Sequence, residues 1–216
     1  MFGFLLLTRR VSLYLGPRTA WVVPVGVVVI LGVTALGIFV TARTHEPGVL
    51  RRGEALTAVL LLVPVVLVMT SPRTTLGTFS ASRKTQFSGP GLWTYFGTFN
   101  DTSPTTLQFV TAAKYWPQAT ELLAKRAGSP VDFVGFVQRD ASTPADEFLL
   151  TRFVVTCCVA DAAVVNVRVV NVPPGLVSND EWVELTGQIY PIGNEIIVTA
   201  TSVNPVPTPE VAYLTP

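Results

Sequence analysis

Between Ala20 and Ala42 the chain carries no charged side chain, and valine, leucine and isoleucine dominate. As a helix this run is about 34 Å long at the α-helical rise, enough for a hydrocarbon core of roughly 30 Å. Pro24 and the glycines inside it are tolerated better in membrane helices than in soluble ones. Trp21 stands at one end, where an interfacial aromatic is expected. A second uncharged run, Ala55 to Pro72 (ALTAVLLLVPVVLVMTSP), gives about 27 Å of helix. The polar, basic stretch TARTHEPGVLRRGE separates the two. The expectation is a transmembrane hairpin with spans at 20–42 and 55–71 around a basic loop at 43–54. Residues 1–19 form a short N-terminal segment. Its apolar MFGFLLLT is too short to span and reads as an interfacial stub or the remnant of a span that starts upstream.

Charge divides the chain at the same place. Residues 1–85 hold nine Lys and Arg against two Asp and Glu, a balance of +7, and residues 86–216 hold six against twelve, a balance of −6. Only 13% of residues are charged and the mean hydropathy is +0.49, whereas soluble domains average about 25% charged. A net acidic back half lacks the basic groove that nucleic-acid binding needs, so no nucleic-acid partner is expected. The side of the membrane stays open. Arg9, Arg10, Arg18, Arg73, Arg83 and Lys84 outnumber Arg43, Arg51 and Arg52, which puts the back half in the cytoplasm for two spans. A third span upstream would reverse that.

Residues 72–126 read as a Ser/Thr/Pro-rich connector with a helical segment over 107–126, stopped by Gly128 and Pro130. From Val131 the period changes to two. VDFVGFVQR, EFLLTRFVVTCC, AVVNVRVV, EWVELTGQIY and EIIVTATSV are five candidate strands. In the fourth, Val183, Leu185 and Ile189 face one way and Glu184, Thr186 and Gln188 the other. Gly135 and Gly187 sit mid-strand, where glycine marks a bulge or bend. Residues 127–216 are therefore expected to form a small all-β, OB-like barrel, with an open sandwich as its rival. The fold class expected for the whole chain is an α+β membrane protein, a helical hairpin followed by that barrel.

His45 is the only histidine and Cys157 and Cys158 are the only cysteines. No Ser-His-Asp or Cys-His arrangement can be built in the back half, and there is no disulfide framework or CxxC motif. Asp140, Asp146, Glu147, Asp180, Glu181 and Glu184 fall in turns or outward strand positions and read as a solvated acidic rim. No catalytic residue is assigned, and the chain is expected not to be an enzyme.

The segment Arg152 to Ala162, RFVVTCCVADA, is the one least explained by folding. Adjacent strand residues point to opposite faces, so Cys157 and Cys158 should diverge. Three readings stand. Both thiols pack at a strand end with Asp161 capping the turn. Alternatively, Cys157, Cys158 and Asp161 bind zinc, copper or another thiophilic metal, thiolate being the soft ligand. Or the pair is a redox sensor that works through a strained vicinal disulfide; separately, Arg152 lowers a thiol pKa if it comes close.

The order V-x-F-x-G-F-V, R-F-x-x-x-C-C-x-A-D-A, E-W-V-x-L-T-G-Q-I resembles the YcgQ-like family of bacterial membrane proteins, most closely over residues 131–205. LYLGPR at 13–18 and PRTTLGTFSASRK at 72–84 extend the likeness. The resemblance implies a multi-pass protein of the bacterial inner membrane with lipid around it. It also implies a permease subunit that works beside a separate, multispanning YcgR-like permease. Members often have a further apolar span at the start and a His-rich loop, where this chain has MFGFLLLT and His45. The function expected is a non-enzymatic, membrane-anchored accessory subunit of a transport system whose β-domain binds or gates. The alternative is metal binding or redox sensing through the adjacent cysteines.

Overall fold

The computed structural model describes residues 15, 19–44, 63, 75–84, 99–193 and 195–214, without the side chains of 38, 40–42 and 44. The chain divides into two compact units, Met1–Thr74 and Thr75–Pro216.

In the first unit, α1 spans Val22–Thr44. Pro24 falls in its first turn, where a missing N–H leaves no intrahelical bond unmade. The Thr34 hydroxyl donates to the Ile30 carbonyl at 2.7 Å, which hides its polarity against the helix. Arg43 stands in the last turn, where a cation suits the helix dipole, with its guanidinium 4.0 Å from the centre of the Phe39 ring.

Among the described residues no helix is long and apolar enough to cross a membrane. This corrects the expected transmembrane hairpin and the multi-pass membrane location inferred from it. The second expected span, 55–71, lies outside the described residues apart from Val63.

The second unit contains α2 (Thr78–Ala81), α3 (Leu107–Ala113), α4 (Pro117–Ala124) and five strands: β1 (Pro130–Gln138), β2 (Phe148–Val154), β3 (Ala163–Val170), β4 (Trp182–Ile192) and β5 (Glu195–Pro205). The single helical segment expected over 107–126 is two helices. Trp116 precedes a proline and is extended, at φ −120° and ψ 112°, because the proline ring disfavours helical backbone before it. Pro117 then opens α4 at a position where proline is favoured. The Thr120 hydroxyl donates to the Ala113 carbonyl at 2.6 Å and holds the two helices together. Thr106 caps α3 by accepting from the Phe109 amide at 3.2 Å. Arg126 ties down the preceding loop, donating to the carbonyls of Ser103 (2.6 Å), Asp101 (3.0 Å) and Asn100 (3.1 Å).

Strand order is β1-β2-β3-β5-β4, and β4 pairs with β1 in turn, so each strand has two neighbours. All pairs are antiparallel except β3–β5, which is parallel and spans only Arg168 to Val170 against Ile197 to Thr199. The sheet is thus mixed. Its core is shared with α3 and α4, through Phe109, Val110, Ala119 and Leu123. This corrects the expected all-β, OB-like barrel: the apolar faces of the two helices complete the core, so the helices belong to the fold.

A second apolar cluster joins Phe136, Phe153, Trp182 and Tyr213 with Ala81 of α2. The C-terminal tail reaches it by pairing with β2, Val155 N donating to Leu214 O at 3.0 Å and Leu214 N to Phe153 O at 2.8 Å. The segment 75–84 is fastened to the same side. Leu76 N donates to the Tyr213 hydroxyl at 3.1 Å, and the Thr78 hydroxyl donates to Asp180 Oδ1 at 2.6 Å.

The mid-strand glycines mark close approaches. A Cβ on Gly135 would lie 2.8 Å from the Thr151 carbonyl oxygen, and one on Gly187 would lie 2.4 Å from that of Thr199. At Gly187 the register with β5 also shifts, as expected of a bulge.

Candidate functional site

β2 was expected to run through both cysteines, yet it ends at Val154. The cause is Asp161. Its Oδ1 accepts from the Thr156 amide at 3.1 Å and its Oδ2 from the Cys157 amide at 2.7 Å. Those amides are turned away from the ladder, and the backbone folds into a turn closed by the 3-10 segment Val159–Asp161. Lys84 holds the far side of that turn, Nζ donating to the carbonyls of Val159 (2.9 Å) and Ala160 (3.1 Å).

Outside a strand the parity rule no longer applies, and the thiols converge. Cys157 Sγ lies 3.8 Å from Cys158 Sγ. Cys157 is exposed, Cys158 is half-buried, and neither is in a disulfide. The Asp161 carboxylate, which hydrogen-bonds the protonated thiol, and then the contact with Cys158 push the Cys157 thiol up to about 11. At neutral pH this thiol keeps its proton, so it lacks the thiolate character of a nucleophilic cysteine.

The structure brings Cys157, Cys158 and Asp161 into one turn and sends Arg152 elsewhere. The Arg152 Nη2 donates to Val211 O at 2.6 Å and Ala212 O at 3.3 Å, and its guanidinium sits 5.7 Å from the Trp182 ring centre. Burial lowers its pKa. It fixes the C-terminal tail and does not tune the thiols. Among the described residues no group of three His, Cys, Asp or Glu is placed to hold a metal ion. The thiols supply two ligands, and Asp161 is engaged with backbone amides.

Four of the six carboxylates of the expected acidic rim, Asp140, Glu147, Asp180 and Glu181, have structural partners. Asp140 accepts from the Ser142 amide at 2.8 Å and the Ser142 hydroxyl at 2.6 Å, and these bonds lower its pKa. Glu147 pairs with Arg168 at 2.6 Å, Glu181 accepts from the Ser178 amide at 2.8 Å, and Asp180 holds Thr78.

Two basic residues passed unnoticed in the sequence. Lys114 follows α3, and its Nζ donates to Asn166 O at 2.9 Å and Asn166 Oδ1 at 3.0 Å. Burial lowers its pKa while Glu195 opposes the shift. It borders a pocket of about 80 Å³ lined also by Thr120, Leu123, Pro191 and Ile196. Arg139 has Nε and Nη2 buried without a hydrogen-bond partner, its guanidinium 6.0 Å from the Phe148 ring centre. A lysine ending an apolar run, VTAAK, was the available signal for the first. Nothing local signals the second.

Residues 110–216 match the family model of the DUF1980 C-terminal domain. No curated protein matches the chain. The DUF1980 match opens inside α3 and takes in the five described strands and the thiol turn. Part of α3, all of α4 and the sheet thus fall within one matched region.

Proposed function

We propose that the chain is a non-enzymatic accessory subunit of a transport system, working beside a multispanning permease, with unit Thr75–Pro216 as its binding or gating module. The observation that carries this reading is the surface of α1. Val28, Leu31, Val33 and Leu36 are 63–69% exposed, and among the described side chains apolar ones lie on every side of the helix. A helix apolar all round is stable only when other apolar surface covers it. The resemblance to the YcgQ-like family names a permease as the partner that supplies that surface. The test is photocrosslinking from position 31 in cells that also express the YcgR-like permease. A covalent adduct with the permease is expected from position 31 and none from position 210, where Glu210 is exposed and polar. Absence of an adduct from 28, 31, 33 and 36 alike, with both proteins expressed, would end this reading.

The 3.8 Å approach of the two sulfurs favours a second reading, metal binding or redox sensing through Cys157 and Cys158 without any permease. The two separate cleanly, because replacing the cysteines leaves the adduct intact under the first.

A further inference from the structure

We infer that Cys157 and Cys158 form a two-thiolate half-site that takes one thiophilic divalent cation and leaves its other coordination positions open to a second molecule. The inference rests on the reading of the second unit as a binding module and names what the module handles. Adjacent cysteines in a strand cannot share an ion, because their side chains diverge. Here they converge. Two thiolates on one tetrahedral zinc-like ion, with metal–sulfur bonds of about 2.3 Å, stand about 3.8 Å apart. The two sulfurs already have that separation, 3.8 Å, so binding needs little movement of the turn.

The backbone of the turn is held from both sides. Asp161 accepts the Thr156 and Cys157 amides, and Lys84 donates to the Val159 and Ala160 carbonyls. Cys157 is exposed, which gives an ion a way in. Among the described residues no third His, Cys, Asp or Glu completes a group around the pair. Structural zinc sites are closed by four protein ligands, while sites that exchange ligands keep positions open. A pair of thiolates is therefore suited to transient holding and transfer. On binding, two sulfur–metal bonds form, and the two thiol protons leave to water.

The experiment uses the full chain, reduced and without a permease, titrated with cadmium ion against a competing chelator. One cadmium per chain is expected, with a sulfur-to-metal charge-transfer band in the ultraviolet. Cys157→Ser and Cys158→Ser should each weaken binding by more than tenfold, and the double variant should lose the band while keeping its circular dichroism. Cys158→Ala serves if the serine at the half-buried position fails to fold. No band in the folded wild type, equal binding by the double variant, or four sulfurs per cadmium by X-ray absorption would each overturn the half-site. The crosslink from position 31 is unaffected by those outcomes, so the two proposals fail separately.

Discussion

Gly187→Ala is expected to destabilise the second unit by about 3 kcal/mol, at the upper end for overpacking a tight site, and to lower its melting temperature by roughly 10 °C. Gly187 is paired with both neighbouring strands, opposite Val131 of β1 and Ala200 of β5. A methyl group there would sit 2.4 Å from the Thr199 carbonyl oxygen and 2.8 Å from Val198 Cγ1. The nearer atom belongs to the backbone of a paired strand, so no side-chain rotation relieves the clash. Either β5 moves away and its pairing with β4 is lost around the bulge, or β4 loses its bend. Thermal unfolding followed by near-ultraviolet circular dichroism measures the effect. A melting temperature within about 2 °C of wild type, a shift corresponding to well under 1 kcal/mol, would show that β5 does not pass this close.

Phe109→Ala is expected to cost about 3–5 kcal/mol, the usual range for emptying a fully buried phenylalanine site. Phe109 has no solvent exposure. Its ring stacks on Phe99 with centroids 4.7 Å apart, and the Arg126 guanidinium lies 5.0 Å from its centre. The neighbours are fixed by Arg126's bonds to the loop carbonyls, which limits collapse into the cavity. The size of the loss discriminates between two architectures. A loss of several kcal/mol in urea unfolding means that α3 is part of the cooperative core. A loss below about 0.5 kcal/mol, as for ordinary surface substitutions, would make α3 a peripheral piece of connector.

The sheet was the most legible part of the chain. Val183, Leu185 and Ile189 are buried while Thr186 and Gln188 are exposed, as alternation predicts, because a half-buried strand writes its faces into a period of two. Gly187 was legible as a bulge for the same reason, a side chain missing where the pattern wants one. What could not be read locally depended on contacts distant in sequence. The helical period over 107–126 said nothing of the core that α3 and α4 share with the strands. Hydropathy marked Ala20–Ala42 as helical, but it measures apolar content and not what covers it.

The thiols failed for a sharper reason. Parity predicted divergence for Cys157 and Cys158, and it held only as long as β2 continued. The Asp161 carboxylate competes for the Thr156 and Cys157 amides and ends the strand at Val154. An aspartate four residues beyond a cysteine is a weak signal by itself. It acts here because the next strand, β3, begins at Ala163 and needs the chain to reverse at once.

The convergence of the two sulfurs is best tested with a trivalent monosubstituted arsenical oxide such as phenylarsine oxide. This reagent loses its oxygen as water when two thiols displace it, and it is held firmly only when both thiols reach one arsenic. Intact mass spectrometry of the reduced full chain should show one arsenical per chain, retained against a large excess of a monothiol, with both cysteines lost to alkylation. An arsenical that washes off with monothiol, leaving Cys157 and Cys158 to alkylate independently, would mean that the sulfurs diverge as strand parity dictates and that the turn is not one site.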